Sequence, residues 1–166
     1  MMNLKIENLN KTHNKSSFHC GNQLLDNYIK RQANQDIQRD LSACYVLSES
    51  SDSTVIGYYT LSANSVSRDD YLTISPKLPP GYKDLPTILL GRLAIDHQYQ
   101  GNGYGEIILM DALNKCVDIS SKLGILAVVV DPKDDEAHNF YKKYGFILLP
   151  GTGKMFIPIK AIEKLF

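Results

Sequence analysis

The chain has no tryptophan, three cysteines, no excess charge of either sign and no long apolar run. Each shortage excludes something. Lys plus Arg is 18 and Asp plus Glu is 18, so the formal net charge is zero. A strongly basic nucleic-acid coat and an acidic disordered tail are both excluded, while a local basic groove is not. No stretch approaches the roughly 18 apolar residues of a membrane span. Met1 to Lys11 alternates polar and apolar residues without a signal-peptide core. Cys20, Cys44 and Cys116 are odd in number and far apart, as expected of reduced residues in a cytoplasmic protein rather than of a disulfide framework. His13 and His19 lie near Cys20 but form no ligand series, so no metal is expected.

What is present is 166 residues, 43% of them hydrophobic and 22% charged, the size and composition of one globular domain. The expectation is a single mixed α/β domain over residues 1–166, without repeats or linkers. Leu4 to Leu9 reads as a first strand and Phe18 to Asp40 as helix, with Asn22 as a cap. Ala43–Leu47 and Val55–Ala63 read as strands joined by the serine-rich turn Ser48–Ser53. Arg68 to Pro86, with the pair Pro80-Gly81, reads as an irregular excursion. Thr87–Ile95 is the next strand, and its Gly91 suggests a bulge or a close backbone approach. A helix from Tyr104 to Leu123 follows, with Ile107, Ile108, Ala112, Leu113, Cys116 and Ile119 as its buried stripe and Gly124 as its stop. Leu126–Val130 is apolar enough to be covered on both faces. Asp135–Tyr144 reads as a short helix stopped by Gly145, with Phe140 and Phe146 in the core. Phe146–Leu149 and Met155–Ile157 close the sheet as a hairpin.

The strongest local feature is Gln100-Gly101-Asn102-Gly103-Tyr104-Gly105, between a strand and a helix. Closely spaced glycines let successive backbone N–H groups converge on one point, and the following helix adds its positive end. Such a nest suits a phosphate or pyrophosphate. It is not a P-loop, because Tyr104-Gly105-Glu106 supplies no Lys-Ser or Lys-Thr. It is not a dinucleotide fingerprint either, because its spacing is Gly-x-Gly-x-Gly and it lies deep in the chain. The second feature is Asp134 to Phe146. Its acids precede a short helix and Lys142 and Lys143 end it, in accord with the helix dipole. Tyr141 and Tyr144 on that helix suit either packing or proton donation at a cleft.

Arg92-Leu93-Ala94-Ile95-Asp96 with the glycine run, followed by Ala137…Phe140-Tyr141…Tyr144-Gly145-Phe146, resembles the two signature segments of the GCN5-related N-acetyltransferase (GNAT) superfamily. Three further blocks are similar to the acetyltransferase toxins of bacterial type II toxin–antitoxin modules. They are Phe18-His19-Cys20-Gly21 before Leu25-Asp26, then Gly57-Tyr58-Tyr59-Thr60-Leu61-Ser62, then Leu90-Gly91-Arg92-Leu93-Ala94. The resemblance implies a mixed, strongly twisted central sheet flanked by helices, with splayed central strands. It implies acetyl-CoA as cofactor and an amine as acceptor, in the toxins the α-amino group of aminoacyl-tRNA. It also implies an antitoxin partner with a ribbon–helix–helix domain and, for many members, a homodimer. A small amine, an antibiotic, a peptide or a protein N-terminus is the alternative acceptor, and a non-catalytic CoA-binding-fold protein the remaining reading.

The resemblance also implies roles. Leu93, Ala94 and Ile95 would pair through backbone with the pantetheine arm, and the Leu93 N–H would polarise the thioester carbonyl. Gln100, Gly101, Asn102, Gly103, Tyr104 and Gly105 would take the pyrophosphate, with Asn139 a further contact to the CoA arm. Tyr141 matches the tyrosine that protonates the leaving sulfur. For a tRNA acceptor, phosphate contacts require local positive charge. Arg92, Lys30, Arg31, Lys142 and Lys143 are the candidates, with Lys77 and Lys83 on the proline-rich excursion.

Overall fold

The computed structural model describes residues 3–72 and 81–166. Seven strands form one mixed sheet in the order β1-β2-β3-β4-β5-β7-β6. They are β1 (Leu4–Asn8), β2 (Ala43–Glu49), β3 (Val55–Ser67), β4 (Asp84–Ile95), β5 (Ala127–Val130), β6 (Ile147–Leu148) and β7 (Met155–Pro158). The flanking helices are α1 (Gln23–Asn27), α2 (Ala33–Gln38), α3 (Arg68–Leu72), α4 (Tyr104–Ser120), α5 (Asp135–Lys143) and α6 (Ile159–Glu163). Among the described residues, no helix is long and apolar enough to cross a membrane. The chain divides into two compact units, Met1–Ser62 with Leu90–Ala112, and Ala63–Leu89 with Leu113–Phe166.

In the first unit, β1 and β2 pair antiparallel from Leu4↔Glu49 to Asn8↔Tyr45. The β2–β3 register slips between Leu47 and Ser48, a bulge inside the hairpin. Leu9, Phe18, Tyr28, Ile29, Ala33, Cys44, Val46, Val55, Tyr58 and Ala94 form its core. Tyr58 is buried whole because its hydroxyl has a partner, the Leu25 carbonyl at 2.6 Å. Asn22 caps α1 by accepting from the N–H groups of Leu24 and Leu25. The helix expected over Phe18–Asp40 starts only at this cap. It passes through a π-helical turn (Tyr28–Gln32) before α2. A register of one extra residue leaves no mark on apolar spacing this short.

In the second unit, β4 and β5 pair in parallel from Thr87↔Ala127 to Leu89↔Val129, and β5 pairs antiparallel with β7. All four residues of β5 are buried, as expected for a strand covered on both faces. Val66, Tyr71, Leu85, Ala127, Val129, Leu149 and Phe156 form this unit's core.

Several elements depart from the sequence expectation. The excursion after β3 opens with α3, and β4 begins at Asp84 rather than Thr87; residues 73–80 lie outside the described residues. On α4, Leu109 is buried and Ile107 is 41% exposed. Helix α4 ends at Ser120, before Gly124, and backbone bonds from Ser121, Lys122 and Leu123 back to Asp118 and Ile119 unwind it gradually. Phe140 is only half-buried, whereas Phe146 is core.

The tight glycine of the sheet is Gly57, on β3. A Cβ there would lie 2.5 Å from Ile95 Cδ1 and 2.9 Å from the Ala94 carbonyl oxygen. The side chain can move aside, but the carbonyl belongs to β4 and cannot. Gly57→Ala is therefore expected to destabilise by about 1–3 kcal/mol, lowering the thermal midpoint by roughly 3–10 °C. An unchanged melting curve would show that β4 is free to shift away from β3 at this point.

Candidate active site

Beyond its register with β5, β4 continues through Leu90 to Ile95 and then gives way to a turn built by side-chain hydrogen bonds. Asp96 is buried and fully engaged. Its N–H donates to the Ile56 carbonyl at 2.8 Å. Its Oδ1 accepts from the His19 N–H at 2.9 Å and its Oδ2 from the Gln98 N–H at 3.1 Å. The latter bond caps a single 3-10 turn, His97–Tyr99. Gln100 then reaches back, its Nε2 donating to the carbonyls of both Ile95 and Cys20 at 2.8 Å. Asp96 therefore acts in turn formation.

The glycine run follows. Gly101 and Gly103 have φ of +80° and +85°, the left-handed region open to glycine. The Asn102 side chain stitches the turn by donating to the carbonyls of Tyr99 (3.2 Å) and Gln100 (3.1 Å). A Cβ built on Gly101 or Gly103 meets nothing within 4 Å, so the space above this backbone is open. Tyr104 and Gly105 already belong to the first turn of α4, whose 17 residues make it long enough to carry a full dipole. The N–H groups of such a first turn lack intrahelical acceptors. Left-handed glycines, open space and a helix N-terminus together fit a pyrophosphate.

Leu93 is half-buried and Ala94 and Ile95 are buried, on the stretch of β4 that leads into this turn. Arg92, next to Leu93, lays its guanidinium 3.6 Å from the centre of the Tyr28 ring. The Tyr28 hydroxyl donates to Asp36 at 2.9 Å. Burial, reinforced by that carboxylate and opposed by Arg92, pushes the phenol up to about 12. The π-helical turn that holds Tyr28 also carries Lys30, half-buried, and Arg31, exposed. The first unit thus holds Arg92, over the Tyr28 ring of the turn that carries Lys30 and Arg31, together with Leu93–Ile95 and the glycine run.

The remaining candidates lie in the second unit, on α5. Asp134 caps this helix by accepting from Ala137 N at 2.7 Å, and Gly145 ends it with φ +98°. Tyr141 is buried, within a ring cluster of Phe140, Tyr144 and Phe146 that packs at centroid distances of 5.2–5.3 Å. Burial alone pushes its phenol up from the ordinary value, so it holds its proton at neutral pH. Asn139, Lys142 and Lys143 are exposed on the same helix, and Lys143 Nζ lies 5.4 Å from the Tyr144 ring centre. Lys83 is exposed, and Lys77 falls outside the described residues. Burial pushes the thiols of Cys44 and Cys116 up to about 12 and that of Cys20 up to about 11, so none is a ready nucleophile. Among the described residues, no cluster of three or more His, Cys, Asp or Glu side chains could hold a metal.

Sequence reasoning missed two participants here. Tyr28 falls within the helix that the sequence predicts over Phe18–Asp40, and nothing in the sequence signals that Arg92 covers its ring. Asp26 stands in the quoted Leu25-Asp26 block, where an acid amid apolar residues was the available signal.

Comparison with known proteins bears on this geometry. The sequence profile of the acetyltransferase (GNAT) family matches residues 7–146. The probable toxin TacT of Sinorhizobium fredii is 32% identical over 161 residues, 92% of this chain and 89% of that protein. The tRNA-acetylating toxin of Mycobacterium tuberculosis is 34% identical over 135 residues, 81% of this chain and 79% of its own length. Among solved structures, AtaT complexed with acetyl-methionyl-tRNAfMet has a TM-score of 0.90 at 32% identity, covering 99% of both chains. A tyrosine-to-phenylalanine variant of AtaT, bound to the C-terminus of the antitoxin AtaR and acetyl-CoA, has a TM-score of 0.83 at 31% identity. The match covers 99% of this chain and 98% of that one.

Proposed function

The chain belongs to the acetyltransferase (GNAT) family, and from that premise we propose that it transfers acetyl from acetyl-CoA to the α-amino group of aminoacyl-tRNA and so arrests translation as a toxin. The observation that carries this reading is the likeness, over 99% of the chain, to a toxin solved with acetyl-methionyl-tRNA. The open left-handed turn at Gly101–Gly103 supports the cofactor half of it. Residues 1–166 then act as one acetyltransferase domain.

Acetyl-CoA, when bound, supplies the acetyl thioester. In this proposal the N–H groups from Gly101 to Gly105 hold its pyrophosphate, with Gln100 and Asn102 fixing the turn and Asn139 touching the CoA arm. The backbone of Leu93, Ala94 and Ile95 aligns the pantetheine, and the Leu93 N–H donates to the thioester carbonyl oxygen as negative charge develops there. As the acceptor nitrogen formed the new C–N bond and the C–S bond broke, Tyr141 would give its proton to the departing sulfur. The proton released by the acceptor amine restores the phenol. A phenol held neutral by burial suits this step, because the leaving sulfur gains charge in the same desolvated surroundings. An aminoacyl ester amine titrates well below lysine, since even a free α-amino group lies near about 8. Its deprotonation therefore demands no dedicated strong base. Arg92, Lys30, Arg31, Lys142 and Lys143 supply the phosphate contacts. We propose further that the partner is an antitoxin of the ribbon–helix–helix type, that the chain pairs as a homodimer and that it acts in the cytoplasm, where charged tRNA resides; the AtaT variant solved with the C-terminus of the antitoxin AtaR supports an antitoxin partner.

Labelled acetyl-CoA offered to charged tRNA, uncharged tRNA, free amines and peptides tests the acceptor. Label should track the aminoacyl group and be released with it on ester hydrolysis. Label confined to amines or peptides would overturn the tRNA reading while leaving the acetyltransferase intact.

Tyr141→Phe keeps the ring and removes the donor. Single-turnover rates should fall about 10²- to 10³-fold with folding and acetyl-CoA binding little changed, and the matching Tyr144→Phe should cost far less. A near-native single-turnover rate in the Tyr141 variant would remove it from the acid role.

A further inference from the structure

We infer that Asp26 is a positioning residue for the glycine-rich turn, acting through the peptide groups of His19 and Cys20. The inference rests on the proposal that this turn receives the pyrophosphate of acetyl-CoA. Asp26 lies on α1 and is buried, yet no lysine or arginine pairs with it among the described residues. Its Oδ1 accepts the Cys20 N–H at 2.8 Å, and its Oδ2 meets His19 Nδ1 at 3.2 Å. Burial raises its carboxyl, but the bonds from Cys20 and His19 outweigh this and leave it below the usual range, hence ionised.

The other side of the same two residues faces the turn. The His19 N–H donates to Asp96, and the His19 carbonyl accepts the His97 N–H at 2.7 Å. The Cys20 carbonyl accepts Gln100 Nε2, which is shared with Ile95. The His19 and His97 rings meet edge to face at 5.1 Å over this strip. Both backbone groups of Cys20 are therefore committed, the N–H to a buried carboxylate and the carbonyl to the side chain that sets where Gly101 begins. The peptide joining His19 to Cys20 accepts the His97 N–H at its carbonyl and donates its own N–H to Asp26, so these two bonds polarise each other, and the charged acceptor makes the second of them strong. The Cys20 carbonyl that holds Gln100 lies on the next peptide and is placed by the backbone so fixed. Without the carboxylate, the His19–Cys20 strip loses its fixed side, and Gln100 loses one of its two acceptors as a defined point in space. Among the described residues Asp26 is hydrogen-bonded to this strip and not to the turn itself, so its contribution is to cofactor affinity rather than to chemistry.

The test compares Asp26→Ala, Gln100→Ala and the double variant with Gly103→Val, using acetyl-CoA itself as the titrant. Asp26→Ala is expected to raise the acetyl-CoA Kd about ten-fold, the usual worth of a hydrogen bond to a charged group. It should raise KM for acetyl-CoA in step, leaving kcat at saturation and KM for the acceptor nearly unchanged. The double variant should bind no more weakly than the weaker single variant, because both changes act through the position of the Cys20 backbone. If Asp26→Ala does not fold, Asp26→Asn, which keeps the shape and loses the charge, should still weaken binding, and Asp26→Glu should restore part of it. Additive losses, or a fall in kcat with KM unchanged, would overturn the positioning role. If Gly103→Val, which places a β-branched residue at φ +85°, binds acetyl-CoA normally, it is the pyrophosphate reading itself that fails. Normal binding by folded Asp26 variants beside a defective Gly103 variant would sink the inference about Asp26 alone.

Discussion

The arrangement depends on a backbone that must turn left-handed twice between a strand and a helix. Gly101 and Gly103 hold φ values that cost other L-residues about 1–2 kcal/mol each. Such a turn collapses onto any nearby partner unless its ends are pinned. The pins are polar side chains: Asp96 on the strand side, Gln100 across to Ile95 and Cys20, and Asn102 within the turn. Gly57 contributes by leaving room for the Ala94 carbonyl, which keeps β4 where the turn needs it. The open space above the glycines follows from this pinning.

A neutral chain facing a polyanion is an apparent conflict, since phosphate contacts dominate affinity for nucleic acids. Arg92 is held in place by the Tyr28 ring beside the Lys30–Arg31 turn, and Lys142 and Lys143 end α5, where the helix dipole favours them. In the proposed function a few cations, rather than a generally basic surface, meet one acceptor stem. This economy distinguishes the proposal from a generally basic RNA-binding surface and agrees with a net charge of zero.

Much of this was legible in the sequence, for physical reasons that can be named. The glycine spacing fixes a left-handed turn locally, so its place between β4 and α4 needed no tertiary knowledge. The four apolar residues of β5 and the Asn22 cap were equally local signals. What depends on partners far along the chain was not legible. Arg92 over Tyr28, Gln100 across to Cys20 and the tight contact of Gly57 with Ala94 join residues with no sequence pattern between them. The π-helical turn, the half-buried state of Phe140 and the early end of α4 reflect packing overriding periodicity. The contact that forbids a side chain at Gly57, on β3, likewise had no local signal.

The central claim is that the pinned glycine turn holds the pyrophosphate and so supplies the affinity that presents the thioester at Leu93. The direct measurement is the Kd of S-acetylpantetheine, which carries the thioester arm but no pyrophosphate, against that of acetyl-CoA, in the wild-type chain and in Gly103→Val. The account predicts wild-type preference for acetyl-CoA by about 10²-fold or more, and a preference that largely collapses in the variant, with S-acetylpantetheine affinity little altered. Equal affinities in the wild type, or a preference untouched by Gly103→Val, would contradict it.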